Sequence, residues 1–83
     1  MPMIYNVVFN DRTDITTKEN PRNLCYDTSI FVDCHKMEFG EWYRKDDDTG
    51  IYKKCLGWKE NGVISINVTQ ILYIESKNVV VIE

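Results

Sequence analysis

Histidine and cysteine are scarce in this chain, with one and three copies among its 83 residues, and that scarcity limits the chemistry it can carry. Cys25, Cys34 and Cys55 cannot all pair within one chain, and their spacing is not that of a disulfide-stapled mini-protein, so reduced thiols are expected. With His35 as the sole imidazole, a nucleophilic centre would have to combine it with Cys25, Cys55 or a hydroxyl, and with Asp27 or Asp33 as orienter. No local pattern supports such a centre. A glycine-rich phosphate loop, an HExxH helix and a GxSxG elbow are all missing, and the expectation is a protein without catalysis.

Long apolar runs are also lacking. No stretch approaches the roughly 20 apolar residues that cross a bilayer, and Met1-Pro2-Met3-Ile4-Tyr5-Asn6 has neither the basic start nor the apolar run of a secretion signal. These absences predict a cytoplasmic protein with no membrane partner. An excess of one charge is missing too. The net charge is -3, which gives no general attraction to phosphate backbones, and Asp46-Asp47-Asp48 is the one acidic cluster, so polyanion mimicry is disfavoured as well. The length leaves room for one domain, residues 1–83, with about 5 kcal/mol of net stability.

What the chain does contain is aromatic and β-branched residues between polar turns. Met3 to Phe9 reads as a strand ending at Asn10-Asp11. Residues 11–27 turn polar, Asn20-Pro21 interrupts them, and Thr16-Thr17-Lys18-Glu19 offers at most a single helical turn, so this span reads as one long loop. Ser29 to Phe39 begins apolar and then alternates, Gly40 permits a bend, and Glu41 to Lys45 leads into a hairpin tip at Asp46-Asp47-Asp48-Thr49-Gly50. That tip lacks the alternating oxygens and distal Glu of a calcium loop. Tyr52 to Trp58 and Val63 to Val68 flank Asn61-Gly62, a pair suited to the tight turn between antiparallel strands. Ile71 to Glu75 and the apolar run Val79-Val80-Val81-Ile82 follow, the latter predicted to be buried on both faces. About six short strands predict an all-β fold, a strongly curved antiparallel sheet or a partly open SH3-like or Sm-like barrel, which minimises free edges.

The stretch Ile66-Asn67-Val68-Thr69-Gln70-Ile71-Leu72-Tyr73-Ile74-Glu75-Ser76 resembles the opening of the LytTR DNA-binding domain. There a strand, a corner and a second strand carry a similar Ile-Leu-Tyr-Ile-Glu signature. The likeness spans about a dozen residues and implies that local strand, corner and strand alone, because the DNA-contacting portion of that family follows the signature and this sequence ends at Glu83.

Cys25, Cys34, His35 and Cys55 would make a valid set of zinc ligands by type. However, the one close pair, Cys34-His35, points to opposite faces of a strand, so buried free thiols are the better expectation. Two tryptophans and five tyrosines exceed what one small interior holds. Some rings must therefore reach the surface, and Trp42, Tyr43 and Trp58, with Arg44 and Lys45 beside them, are the candidate binding residues. The leading expectation is a non-catalytic protein that engages or inhibits a protein partner through this aromatic patch, of a size usual for phage or mobile-element accessory factors. Strand addition at exposed edges adds homo-oligomerisation. One alternative is a single-stranded nucleic-acid-binding barrel using Arg44, Lys45, Lys53, Lys54 and Lys59. Another is an oligomeric module that sequesters a nucleotide or other small ligand between subunits.

Overall fold

The segments richest in β-branched and aromatic side chains become strands in this computed structural model, which describes residues 3–24 and 30–82. They are β1 (Met3–Phe9), β2 (Asp14–Thr17), β3 (Phe31–Lys45), β4 (Tyr52–Asn67) and β5 (Ile71–Asn78), joined in places by short 3₁₀ turns at Pro21–Asn23 and Val68–Gln70. These five strands pair antiparallel throughout, in one sheet of order β4-β3-β2-β1-β5. The fold is all-β, and the described residues contain no α-helix.

The sheet is open and has five strands, where the sequence suggested six and an SH3-like or Sm-like barrel. The difference begins at Asn61-Gly62, which does not turn the chain. His35 faces Val63 while Met37 faces Glu60, so β4 carries one extra residue opposite Lys36 and runs on. Gly62 sits at φ +84°, the left-handed conformation that a β-bulge needs as much as a tight turn does. Two expected strands therefore merge into one long strand that pairs with β3 over its whole length.

The polar span 11–27 is not a single loop either. Thr16 and Thr17, expected at most in a helical turn, belong to β2, where Ile15 faces Val7 across the pair with β1. Thr17 is fully buried because its hydroxyl donates to the Glu19 carbonyl at 2.7 Å. After it, the Asn20 side chain caps the turn at Pro21 by accepting from the Arg22 amide at 3.1 Å. Residues 25–27 lie outside the described residues. The segment Ile66–Ser76 does form the end of β4, a 3₁₀ corner and the start of β5, the local shape that the LytTR resemblance implied.

Strand alternation puts Val7, Val32, Cys34, Ile66 and Ile71 into one apolar cluster, supported by Phe9, Ile15, Leu24, Ile64, Val68 and Ile74. Burial of each such side chain stabilises by about 1.5–3 kcal/mol, which makes this cluster the main source of cohesion. Ile4 and Met37, also buried, fall on the other face by the same alternation. Val79 to Ile82 is not a strand buried on both sides, since Val80 is exposed. Instead the tail crosses to β4, where a parallel bridge joins Val81 to Trp58. The Trp58 amide donates to the Val80 carbonyl at 3.2 Å, and the Ile82 amide donates to the Trp58 carbonyl at 2.7 Å. One bridge does not close the sheet.

Candidate functional site

β2 meets β3 at Thr17–Lys36, and beyond that point the outer parts of β3 and β4 run on as a two-stranded ribbon. This arm gives the protein its length, 50 × 23 × 20 Å. Its tip is built by the residues that predicted a hairpin. The Asp46 amide donates to the Ile51 carbonyl and the Gly50 amide to the Asp46 carbonyl, both at 2.8 Å, with Gly50 at φ +69°. The Asp46 carboxylate accepts from the Asp48 amide at 2.9 Å and meets Lys53 at 3.2 Å, and these contacts, the amide first, hold its carboxyl below the usual range.

Residues directly opposite each other across an antiparallel pair share a face. One face of the arm therefore carries Phe39 with Trp58, Glu41 with Leu56, Tyr43 with Lys54, and Lys45 with Tyr52. The other carries Gly40 with Gly57, Trp42 with Cys55, and Arg44 with Lys53. The five predicted binding residues are split accordingly, with Tyr43, Lys45 and Trp58 on one side and Trp42 and Arg44 on the other.

Both indoles are half-buried. Trp42 lies over the glycine pair, its ring atoms 3.9 Å from where a Gly40 side chain would begin, and its indole N–H donates to the Gly57 carbonyl at 3.0 Å. The Lys59 ammonium sits 5.3 Å from that ring. Trp58 packs against Phe39 with centroids 5.4 Å apart, and the Lys77 ammonium stands 4.7 Å from its ring. The two tryptophans thus stiffen the root of the arm.

The surface that remains open on the arm is made mostly by residues the sequence did not single out. Phe39 is 54% exposed, Tyr52 64%, Leu56 64% and Tyr43 68%, all on the face that also holds Trp58. Only Tyr43 was among the candidates. The missing signal was available, because a turn at Asp46–Gly50 with straight pairing behind it puts the odd residues of β3 and the even residues of β4 on one side.

The thiols and the histidine are dispersed. Cys34 is fully buried, and its pKa is pushed up to about 11 by burial and then by the Glu19 and Asp33 charges, so it is a poor thiolate donor. His35 turns the other way, its amide donating to Glu19 Oε2 at 2.8 Å and its ring meeting Glu19 Oε1. Cys55 lies out on the arm, and Cys25 is outside the described residues. Among the described residues no group of three His, Cys, Asp or Glu side chains is placed to hold a metal ion.

Of the cations considered for nucleic acid, Lys53 pairs with Asp46, Lys54 pairs with Glu41 at 2.7 Å, and Lys59 lies over Trp42. A cleft of about 600 Å³ lies at the root of the arm, lined by Ile4, Met37 and Ile82 with the ion pair Lys18–Glu60 at its rim. No helix among the described residues is long and apolar enough to cross a membrane. Comparison of the chain with protein-family models, curated proteins and solved structures returned no match.

Proposed function

We propose that this chain is a non-catalytic binding protein that engages a protein partner through the apolar face of its β3–β4 arm. The observation behind this reading is the stripe Phe39, Tyr43, Tyr52 and Leu56, exposed on a ribbon that projects from the body. Large apolar side chains held in the open, with tyrosines among them, are the usual anchors of a protein interface. The Glu41–Lys54 pair within the stripe is satisfied internally, so the fitting partner surface is apolar at its centre. The internal engagement of Lys53, Lys54 and Lys59 makes the nucleic-acid reading the weaker one.

The test is capture of partners by the wild-type chain and by Leu56→Asp and Tyr43→Ala, with the fold checked by circular dichroism. Partners that depend on the stripe should be lost from both variants. Recovery of the same set with both variants folded rejects the arm face as the binding surface.

The cleft supports a second reading, a site for a small ligand. Its volume lies in the range of small-molecule sites, and Lys59 adds a positive charge to the Lys18–Glu60 rim above an apolar floor, so a largely apolar ligand with an anionic group suits it. Met37→Trp would fill it, and any ligand found by mass spectrometry of the purified protein should then be absent.

A further inference from the structure

The backbone of the arm has a bare edge as well as an apolar face. The Asp46 amide is directed at Ile51, the residue just before β4, and backbone groups alternate sides along a strand, so Gly40, Trp42 and Arg44 also direct their N–H and C=O groups at β4. Trp58 gives the same phase independently, since its amide and carbonyl point away from β3 to the tail. Phe39, Glu41, Tyr43 and Lys45 consequently aim their N–H and C=O groups outward, past the bridge that joins β2 to Lys36. Such an edge is a template for another strand.

We propose that two copies of this chain pair antiparallel along this edge of β3, with Tyr43 on the twofold axis. A twofold requires each residue to meet its mirror position, and the charges select the register. A twofold on Glu41 or on Arg44 sets like charges against each other. A twofold on Trp42 puts Arg44 opposite the partner's Gly40 and Lys45 opposite the partner's Phe39, leaving both cations without an anion. A twofold on Tyr43 puts Glu41 opposite the partner's Lys45, Trp42 opposite the partner's Arg44, and the two Tyr43 rings side by side. Each of these is a favourable cross-strand pair; the tyrosine pair occurs once, on the axis, and the other two occur twice. Pairing runs from Gly40 to Asp46 and stops short of Lys36, where β2 occupies the edge.

The outer edge of β4 is the poorer choice. A twofold on Lys53 or Lys54 opposes lysines, and a twofold on Cys55 would need the backbone of Trp58, which the tail already holds. The β3 dimer is a continuous sheet of order β4-β3-β3-β4, with the two apolar stripes joined at Tyr43. It does not rest on the protein-partner reading.

Sedimentation equilibrium over a concentration series, with Lys45→Glu and Glu41→Lys alone and mixed, tests the register. Among the described residues Lys45 makes no ion pair, so Lys45→Glu leaves its own chain intact, whereas Glu41→Lys also gives up the Lys54 contact. The wild type should dimerise, and each single variant should weaken its homodimer roughly tenfold, because two attractive cross-strand pairs become repulsive. An equal mixture of the two should restore the affinity, since every Glu then faces a Lys. Tyr43→Pro, which removes an outward amide and no hydrogen bond of the hairpin, should abolish the dimer while cross-strand contacts within the arm persist by NMR. A wild type that is monomeric throughout the series overturns the proposal. So does a dimer whose affinity is unchanged in Lys45→Glu or Tyr43→Pro, or a mixture no tighter than the single variants.

Discussion

In the inner halves of β3 and β4, Val32, Cys34, Ile64 and Ile66 join the apolar cluster that includes residues of β1 and β5, whereas in the outer halves the same alternation sets Phe39, Tyr43, Tyr52 and Leu56 against water. The two halves share strands and pairing partners but not the force that holds them. The body coheres by burial. The arm relies on cross-strand pairs worth about 0.2–1 kcal/mol each and on the tip at Asp46–Gly50. A free two-stranded ribbon is marginal by itself, so the arm borrows its order from the body through the continuous strands, the bonds of the tail to Trp58 and the Lys77 ammonium over the Trp58 ring. Apolar residues left in water contribute little to cohesion, and this contrast is the ground for the binding role proposed for the arm.

The contrast is broken most directly by equal truncations in the two halves. Ile66→Ala removes a side chain that is 1% exposed and should cost about 2–5 kcal/mol, enough to leave so small a protein partly unfolded. Leu56→Ala, on the arm, should stay within about 0.5 kcal/mol of the wild type. Urea denaturation compares them, and a Leu56→Ala loss as large as that of Ile66→Ala would mean that the arm is folded into a core after all.

The root of the arm is probed by Gly57. A Cβ there would stand 3.0 Å from Ile82 Cδ1 and 3.2 Å from the Val80 carbonyl oxygen, and the carbonyl is backbone that cannot easily yield. Gly57→Val should therefore push the tail off β4, at a cost of about 1–3 kcal/mol. Hydrogen exchange at the Ile82 and Trp58 amides should quicken while the amides of Val32 and Ile66 stay protected. Unchanged protection at Ile82 would show that the tail is not held by this contact. The bulge comes next in size. A side chain at Gly62 would meet nothing within 4 Å of its Cβ, so Gly62→Ala carries only the conformational cost of φ +84°, about 1 kcal/mol, and Gly62→Asn should recover part of it. Urea denaturation of the two variants measures both steps, and a Gly62→Ala protein as stable as the wild type would show that the bulge tolerates an ordinary backbone conformation.

These positions also show what the sequence could and could not convey. Met3–Phe9, the tip Asp46–Gly50 and the corner at Val68–Gln70 were legible, because each depends on local preference. Asn61-Gly62 was misread because positive φ at glycine serves a bulge and a turn alike, and only the partner strand decides between them. β2 was missed because Asp14–Thr17 is polar, and its place comes from pairing with β1 and from the hydroxyl bond of Thr17. Among the candidate residues, the surplus of rings pointed to the hairpin that carries the exposed stripe. It picked the tryptophans over Phe39 and Leu56 because ring size says nothing about which face a strand presents.

The smallest effect is expected at the junction of body and arm, where polar contacts replace packing. There Lys18 pairs with Glu60, Asn61 Nδ2 donates to Glu38, and both the amide and the ring of His35 meet Glu19. The bond to Glu19, and then its charge, raise the His35 pKa above its ordinary 6.5, with Glu60 adding to the shift and burial and Lys18 opposing it. A folded-state pKa raised above the unfolded value means that the contact stabilises fully below about pH 6.5 and loses that contribution as the pH climbs through the folded pKa. The His35 ring signals should titrate with a midpoint above 6.5, and Glu19→Gln should return it toward the ordinary value. Across the same pH window the junction residues Lys18, Glu19 and Lys36 should shift while Tyr43 and Leu56 stay still. A midpoint at or below the ordinary histidine value would show that Glu19 does not hold the ring in solution. The loop after β2 would then be tied to the sheet by its backbone bond from the Lys18 amide to the His35 carbonyl, 2.9 Å long, which does not titrate.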